Sequence, residues 1–251
     1  MEDVTYREAE PGGSLSEFVK SIWYVHNSSD KERQFSVLPD GYFDIVFTKS
    51  PRKEPVSSLI GLWTQEYLCI VPGDGELFGV SFRLLAVEYL LGVKIAQLFN
   101  SEAVLPEGFG GISGKDLSDF VSFESKTRRV LLDMTPKEPI DSRKRELFRT
   151  LYMSNGAVKV ANVANKVNWS SRQINRYFRN RFGISLKSYC NVLRFRASFD
   201  KLKEKRLFPE QAYADQSHFI KESKKYSGAT PKQLADNEDD RFVQLSTLRR
   251  K

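Results

Sequence analysis

Short runs of alternating apolar and polar residues dominate the first hundred positions of the chain. Residues 21–25 and 42–47 are β-prone, and turn-forming residues stand at 38–41, directly before the second run. Two further strand-like stretches cover residues 59–71 and 77–82, separated by a turn at 72–75. Short strands at this spacing predict a β sandwich or a small β barrel.

The apolar spacing changes in the second half of the chain. Helical spacing begins near Leu84, a Gly-rich stretch follows at 107–114, and residues 116–134 return to helical spacing. From Ile140 onward the pattern is almost wholly helical. We therefore predict an α+β chain with a β-rich domain over 1–112, a helical linker over 113–140, an all-α domain over 141–236 and a C-terminal tail over 237–251.

Charge divides the chain at the same place. Residues 141–251 hold 25 basic and 11 acidic residues, a net charge of +14, whereas the first 140 residues hold 14 basic and 21 acidic residues, a net charge of −7. A polyanion is attracted to the second half and mildly repelled by the first. Charge alone leaves a merely solvated basic surface as an equal alternative.

A helix, a short turn and a second helix are predicted between residues 158 and 183. The first helix is indicated by one apolar stripe, formed by Val160, Val163, Ala164 and Val167. After a break at 168–169, either Ser170 or Ser171 can cap the N-terminus of the second helix. Gly183 is placed to end that helix in the left-handed conformation.

The second of these helices has one apolar face and one polar face. Apolar residues share the first face: Ile174, Tyr177, Phe178 and Phe182. Arginine and asparagine share the second: Arg172, Asn175, Arg176 and Arg179. Arginine can bind guanine, and asparagine adenine, through two hydrogen bonds each. Because this face has no acidic residue for phosphate to repel, we interpret it as a DNA-reading face rather than a solvated one.

Helical spacing continues beyond this unit. Ser185 can cap a helix that is predicted to run to about Arg206, long enough to hold two small units at a fixed spacing. A second turn and helix follow over residues 213–221, and the segment GATP at 228–231 closes this part of the chain. Two similar units in tandem are thus indicated.

The motif SSRQINRYFRNRFGISLKSYCNVLRFRAS, followed by YADQSHFIKESKKYSGATPKQL, closely resembles the DNA-binding domain of AraC/XylS-type transcription regulators. The resemblance covers about ninety residues. It implies a double helix-turn-helix domain that places one recognition helix of each unit in successive major-groove segments of double-stranded DNA. By position, it points to Arg172, Asn175 and Arg176 in the first unit, and in the second to Gln216, Ser217 and Lys221, with His218 near the DNA backbone or in local packing.

Three positions depart from the family pattern, all in the second unit. The segment between Leu207 and Tyr213 is too short for a full first helix, and Ala212 stands where the family usually has glycine. Ser223 replaces a core phenylalanine, and the loss of a buried phenylalanine costs about 3–5 kcal/mol where the site does not repack. We expect the second unit to bind DNA more weakly than the first.

The first half resembles the cupin-like, or jelly-roll, sensor domain that precedes such DNA-binding domains. The resemblance is carried over about residues 5–105 by SLSEFVKSIWYV, VLPDGYFDIVF and LFGVSFRLLAVEYLLG, with Leu84 where a proline commonly follows the Phe-Arg pair. It implies a sensor role without naming an effector. Four aromatic residues could line an apolar ligand pocket: Trp23, Tyr24, Trp63 and Tyr67. For each of them, filling the core of the domain is about twice as common a role as lining a pocket.

An enzymatic function is disfavoured. A metal-dependent cupin needs several converging His and carboxylate ligands, yet His26 is the only histidine of this half, and Asp40, Asp44 and Glu66 show no ligand spacing. Phosphate- and dinucleotide-binding fingerprints are also missing. We therefore expect no catalytic residue, no metal and no cofactor. The alternatives are a cupin-type enzyme or small-molecule binder with a degenerate helical domain, and a module that binds an acidic protein.

The sequence also restricts the compartment and the partners. It has no apolar run of about 18 residues, an acidic N-terminus, and two isolated cysteines, Cys69 and Cys190, so we expect a cytoplasmic protein without a membrane partner. Besides DNA, the expected partners are a small-molecule effector, RNA polymerase and a second copy of the chain. Residues 117–134 show no clean heptad that would support a dimer helix.

Overall fold

The computed structural model describes residues 3–208, 213 and 215–246, and its first half is built of β-strands. Six antiparallel strands form one sheet in the order β1-β2-β7-β4-β5-β8, and β3 and β6 form a second, smaller sheet. The strands are β1 (Val4–Ala9), β2 (Val19–Asn27), β3 (Arg33–Val37), β4 (Phe43–Lys49), β5 (Val56–Ile60), β6 (Tyr67–Val71), β7 (Glu76–Phe82) and β8 (Glu102–Val104).

The predicted strands match β2, β4 and β7, whereas the predicted run over 59–71 is divided between two sheets. The chain leaves β5 at Gly61, where a side chain would collide with the backbone carbonyl of Leu98, and it enters β6 at Tyr67. Three strands, β1, β3 and β8, were not predicted. They lie on the margins of the sheets, where one-sided pairing leaves a weaker hydrophobic pattern.

The two faces of the large sheet have different neighbours. The smaller sheet packs against one face, where Phe35 and Val71 meet Val25 and Leu77. The other face carries aromatic residues that pack against the first long helix, with the Phe78 and Phe123 ring centres 5.2 Å apart. The β half is therefore a layered domain with an interior between its two sheets.

The second half is helical. An N-cap begins most of its longer helices: the side chains of Asp119, Asp141, Ser170, Ser185 and Asp215 each accept a hydrogen bond from a backbone N–H of the first turn. The described α-helices are α1 (Ala86–Tyr89), α2 (Phe120–Asp133), α3 (Ser142–Met153), α4 (Val160–Lys166), α5 (Ser171–Phe182), α6 (Leu186–Ala197), α7 (Phe199–Lys203), α8 (Gln216–Ser227) and α9 (Pro231–Asp236), and a short 3-10 helix covers Val243–Leu245.

Two helices differ in length from the sequence prediction. The helical spacing near Leu84 produces only the short α1, and the chain turns soon afterwards through Gly92 at a φ of 62°. The helix predicted to extend from Ser185 to about Arg206 is divided at Ser198 into α6 and α7, and it ends at Lys203. The buried hydroxyl of Ser198 donates to the carbonyl of Phe195 at 2.6 Å, a local bond that bends helices.

The β half and the first helices share one continuous cluster of buried apolar side chains. The Tyr189 hydroxyl donates to the Gly41 carbonyl at 3.0 Å, and the Leu84 N–H donates to the Tyr152 hydroxyl at 3.1 Å. The latter bond uses an N–H that a proline at position 84 would lack. The predicted fold class, a β-rich half followed by a helical half, is confirmed. Among the described residues, no helix has the length and apolar character needed to cross a membrane.

Candidate nucleic-acid interface

Local hydrogen bonds fix both ends of α5. The Ser170 hydroxyl accepts from the Gln173 N–H at 3.2 Å, and the Gln173 side chain accepts from the Ser170 N–H at 2.7 Å. Gly183 ends the helix with a φ of 74°. A side chain there would be strained, and its Cβ would lie 2.9 Å from the carbonyl oxygen of Ala96 in the β half. The predicted cap and stop are thus both present, and the helix end is set directly against the β half.

The outer face of α5 is exposed and basic. Ile174, Phe178 and Phe182 are buried beneath the helix, while Arg172, Arg176 and Arg179 are exposed. These three arginines form no ion pair with any residue that the structure describes. An exposed face of unpaired guanidinium groups is suited to contact phosphate oxygens and guanine edges.

Asn175 occupies the same helix but is already hydrogen-bonded within the protein. Its amide nitrogen donates to the Ser171 carbonyl at 3.0 Å, and its amide oxygen accepts from the Leu186 N–H at 3.3 Å. The second bond satisfies an N–H in the first turn of α6 that has no partner within that helix. The Asn175 side chain therefore links α5 to the start of α6. Helical periodicity alone does not indicate this role.

Arg181, near the end of α5, is held by a carboxylate from the β half. Its Nε lies 2.9 Å from Oε1 of Glu88 in α1, and Lys144 of α3 donates to Oε2 of the same carboxylate at 2.5 Å. The Glu88 side chain is only 9% exposed. Burial, followed by the charge of Glu88, raises the pKa of the Tyr177 hydroxyl well above its usual value. Two basic residues of the helical half thus share one carboxylate of the β half, which balances one of their two charges.

The second unit presents α8 in a similar way. Asp215 caps the helix by accepting from the His218 N–H at 2.8 Å, and Gly228 ends it with a φ of 66°. All four side chains that the sequence singles out on this helix are exposed: Gln216, Ser217, His218 and Lys221. Lys224 and Lys225 are also exposed, at three and four residues after Lys221. Their helical spacing is the signal that could have added them to the predicted surface.

The core beneath α8 contains polar groups. Phe219 and Tyr226 are fully buried, and Ser223 between them is buried too, with a hydroxyl that has no hydrogen-bond partner among the described residues. Glu222 is also buried, 3.9 Å from His218 Nε2. The serine therefore lies at the core position that the sequence indicated. Ala212 and the shortened segment before Tyr213 lie mostly outside the described residues.

An open cleft lies where α5, α8 and the β half approach one another. It has a volume of about 470 Å³. Arg179 of α5 and Lys225 of α8 line it, together with the hydroxyls of Ser185 and Ser188 at the start of α6 and with Thr64 from the β half. Because its cations belong to both helical units, the cleft extends the positive surface from one unit to the other.

The interior of the β half is partly polar. Trp23 lies over Gly79, where any side chain would collide with the indole, and its Nε1 donates to Asp44 at 3.2 Å. Burial, and then the charge of Asp40, raise the pKa of Asp44 to about 7. Trp63 stacks on Tyr67 with ring centres 4.8 Å apart. Both line a cavity of about 20 Å³, room for one water molecule.

The other residues raised in the sequence analysis do not join this cavity, although Tyr24 and His26 stack on each other with ring centres 6.4 Å apart. Tyr24 lies on the opposite face of the large sheet, 4.9 Å from Phe78 between ring centres. His26 and Glu66 do not line the small cavity. Among the described residues, no group of three or more histidine, cysteine, aspartate or glutamate side chains is placed to hold a metal ion.

Residues 7–103 match a family described as Domain of unknown function (DUF6597). None of the curated proteins matches the chain.

Solved structures that resemble the chain include ToxT from Vibrio cholerae O395, with a TM-score of 0.43 and 10% identity, over 98% of this chain and 100% of that one. ToxT from strain SCE256 with a bound unsaturated fatty acid has a TM-score of 0.44 and 10% identity, over 92% and 94% of the two chains. ToxT from O395 bound to (E)-4-(8-methylnaphthalen-1-yl)but-3-enoic acid has a TM-score of 0.42 and 13% identity, over 97% and 98%.

Proposed function

We propose that the protein is a transcription regulator that binds double-stranded DNA in a sequence-specific way through α5 and α8. The observation that carries this proposal is the outer face of α5, an exposed, acid-free row of unpaired arginines on a rigidly capped helix. Arg172 and Arg176 are the residues proposed to read base edges, and Arg179 to contact phosphate. In this proposal α4 and α5 form the first helix-turn-helix unit.

Asn175 can contact a base only if its side chain leaves its present hydrogen bonds. To read adenine, its amide must leave the Leu186 N–H and the Ser171 carbonyl. Breaking two satisfied hydrogen bonds opposes such a contact, since each contributes about 0.5–1.5 kcal/mol. We therefore assign base reading in the first unit mainly to the two arginines, with Asn175 as a reader only when α6 shifts.

The second unit is proposed as a weaker DNA contact. Gln216, Ser217 and Lys221 would face bases, and His218 the backbone, with Lys224 and Lys225 adding phosphate contacts. The buried Ser223 hydroxyl and Glu222 carboxylate reduce the apolar contacts available to hold α8 in place. The separate first helix expected of a full unit is not present in residues 204–208.

The β half is proposed to receive a signal and to change how the helical half meets DNA. Its contacts with α5 through Glu88 and Ala96 give a direct route for such an effect. A small-molecule effector, RNA polymerase and a second copy of the chain complete the proposed partners, and the cytoplasm is the proposed site of action.

The proposal is tested by selecting bound sequences from a random pool of DNA duplexes, followed by affinity measurements on the enriched sequence. Arg176→Ala is expected to weaken binding to that sequence far more than binding to random DNA, by about 1–3 kcal/mol for a lost base contact. Arg129→Ala, which removes an exposed arginine from α2, is the matched control and should leave both affinities unchanged. If the pool yields no enriched sequence, sequence-specific binding is excluded.

One observation favours a second candidate, a small-molecule binder without DNA activity. Asp40 and Asp44 line a polar cavity that a simple apolar core would not need, and a ligand larger than water would have to enlarge it beyond its present volume of about 20 Å³. This candidate predicts that a ligand stabilises the chain in thermal unfolding while the DNA selection fails. An enzyme of the cupin type would additionally hold metal in proportion to protein, which elemental analysis of the purified chain measures.

A further inference from the structure

The segment that follows α9, residues 241–246, lies along the free edge of β3 in the smaller sheet, and we call it the strap. Ser36 of β3 donates its N–H to the Arg241 carbonyl at 2.8 Å and pairs in parallel with Phe242. One step further, Leu38 donates its N–H to the Gln244 side chain at 2.9 Å and accepts from the same amide at 2.8 Å. The strap thus supplies partners for a strand edge that β6 leaves unpaired.

Apolar side chains of the strap are also buried in the protein. Phe242 and Leu245 are 2% and 4% exposed and belong to the buried cluster of the second unit. Val243 turns the other way and packs with the interior cluster between the two sheets. The two faces of the strap therefore belong to two different cores, one in each half of the protein.

Polar contacts tie the beginning of the strap to two different elements. The guanidinium of Arg241 binds both carboxylate oxygens of Glu66, at 3.0 and 3.1 Å, in the turn that precedes β6. The side chain of Asn237, just after α9, accepts from the Phe242 N–H at 2.8 Å and donates to its carbonyl at 3.2 Å. The second unit is thus bonded to the strap, and the strap to β3 and to the turn before β6.

Leu38 is the point where these contacts meet the interior of the β half. Its backbone holds Gln244, its side chain is buried in the cluster of the second unit, and it lines the small cavity together with Asp40, Asp44 and Trp63. Leu38 therefore contacts both the cavity and the strap, and a change in the shape of the cavity can reach the strap through this one residue.

We propose that the strap is an internal interaction surface that positions the second DNA-binding unit on β3 and couples that unit to the interior of the β half. The first unit is held by another contact, Arg181 with Glu88, and α6, which follows it, is held by the bond of Tyr189 to Gly41. The contacts of the strap are thus separate from those of the first unit, and we expect a rearrangement of β3 to act on the second unit more than on the first. The consequence for DNA rests on the proposed function, whereas the coupling itself does not.

The coupling is tested by amide hydrogen exchange of Ser36 and Leu38 in the full chain. Arg241→Glu places a carboxylate against Glu66, and Glu66→Arg places two cations together. Each should speed exchange of both amides by about fivefold, because a lost surface ion pair accounts for up to about 1 kcal/mol. The double variant Glu66→Arg with Arg241→Glu restores an ion pair and should return exchange to within about twofold of the parent.

Two further variants separate this effect from general destabilisation. Lys232→Glu makes the same change of charge at an exposed side chain of α9 and should leave both amides unchanged. Gln244→Ala removes both hydrogen bonds to Leu38, so exchange of the Leu38 amide would rise for a trivial reason. The Ser36 amide is therefore measured instead, because its own acceptor, the Arg241 carbonyl, is kept in this variant. Unchanged Ser36 exchange in Gln244→Ala, or a double variant as fast as the single ones, would overturn the proposal.

A DNA-protection experiment tests whether the strap positions the second unit on DNA. On the enriched sequence, Arg241→Glu should weaken protection over the part that the second unit contacts by about fivefold and preserve protection over the other part. Equal loss over both parts, or stronger protection over the second, would contradict a positioning role. If the parent protein binds no DNA at all, the proposed function fails, and the exchange experiment still decides the coupling.

Discussion

Glu88 of the β half binds Arg181 of α5, with Oε1 of the carboxylate 2.9 Å from Nε of the guanidinium. Arg181 lies two residues after Arg179 and, under the proposed function, would be a further phosphate contact if it were released. If Arg181 contacts phosphate in this way, the β half and DNA would compete for the same side chain.

Glu88→Gln should raise the affinity for duplex DNA and make it more dependent on salt, because the release of Arg181 adds one phosphate contact. The slope of log K against log salt should steepen by about 0.9. Binding measured at several salt concentrations checks this. Glu124→Gln, which breaks the ion pair with Arg128 on α2, is the matched control with the same change in charge. Equal slopes in the parent and Glu88→Gln would show that Arg181 does not reach DNA.

Asn175→Ala should lower the free energy of unfolding by about 1 kcal/mol, since it leaves the Leu186 N–H without its acceptor. Arg176→Ala, one position along the same helix, removes an exposed side chain and should leave stability within about 0.5 kcal/mol of the parent. Urea unfolding measures both. If Asn175→Ala were neutral for stability and still abolished specific binding, Asn175 would be a base reader rather than a link to α6.

Two serines one turn apart in α8 should respond in opposite directions. Ser223→Ala removes a buried hydroxyl without a described partner and should stabilise the chain by about 1 kcal/mol. Ser227→Ala removes a hydroxyl that donates to the Ser223 carbonyl at 2.6 Å and accepts from the Ala229 N–H at 3.2 Å, so it should destabilise the chain by a similar amount. Thermal unfolding of the pair tests this, and a destabilising Ser223→Ala would show that its hydroxyl is satisfied.

Asp44 should make stability depend on pH. Its pKa of about 7 in the folded chain lies above the ~3.9 of an unfolded one. The folded chain binds the extra proton between these values, so the free energy of unfolding falls as pH rises through that window. Asp44→Asn is neutral at every pH and keeps an oxygen to accept from Trp23. The parent should therefore lose stability relative to this variant between pH 5 and pH 8 in urea unfolding. A constant difference would mean that Asp44 ionises normally.

The sequence predicted α5 well because its signals are local. Ser170, Gly183 and the buried stripe all act within one or two turns, so the cap, the stop and the exposed face follow from the residues themselves. Asn175 has the same spacing as its arginine neighbours. Only the position of α6, set by the turn after Gly183, shows that its amide is engaged.

Distant pairings escaped the sequence prediction. The strap was expected to be a tail, because its polar and apolar residues follow no regular period and its partners lie about two hundred positions earlier. Likewise, nothing near Glu88 indicates that it meets Arg181. Pairings of this kind are determined by how the two halves pack, which a one-dimensional pattern does not record.

The close fit around Gly41 bears on how the two halves of the chain can evolve. A Cβ at this position would lie 2.9 Å from Leu193 and 3.3 Å from Tyr189, so the β half carries a recess shaped by α6. A recombination event that joined residues 141–251 to a different β domain would bring together surfaces that were never fitted to each other. The two halves are therefore expected to be inherited as a pair rather than shuffled as separate modules.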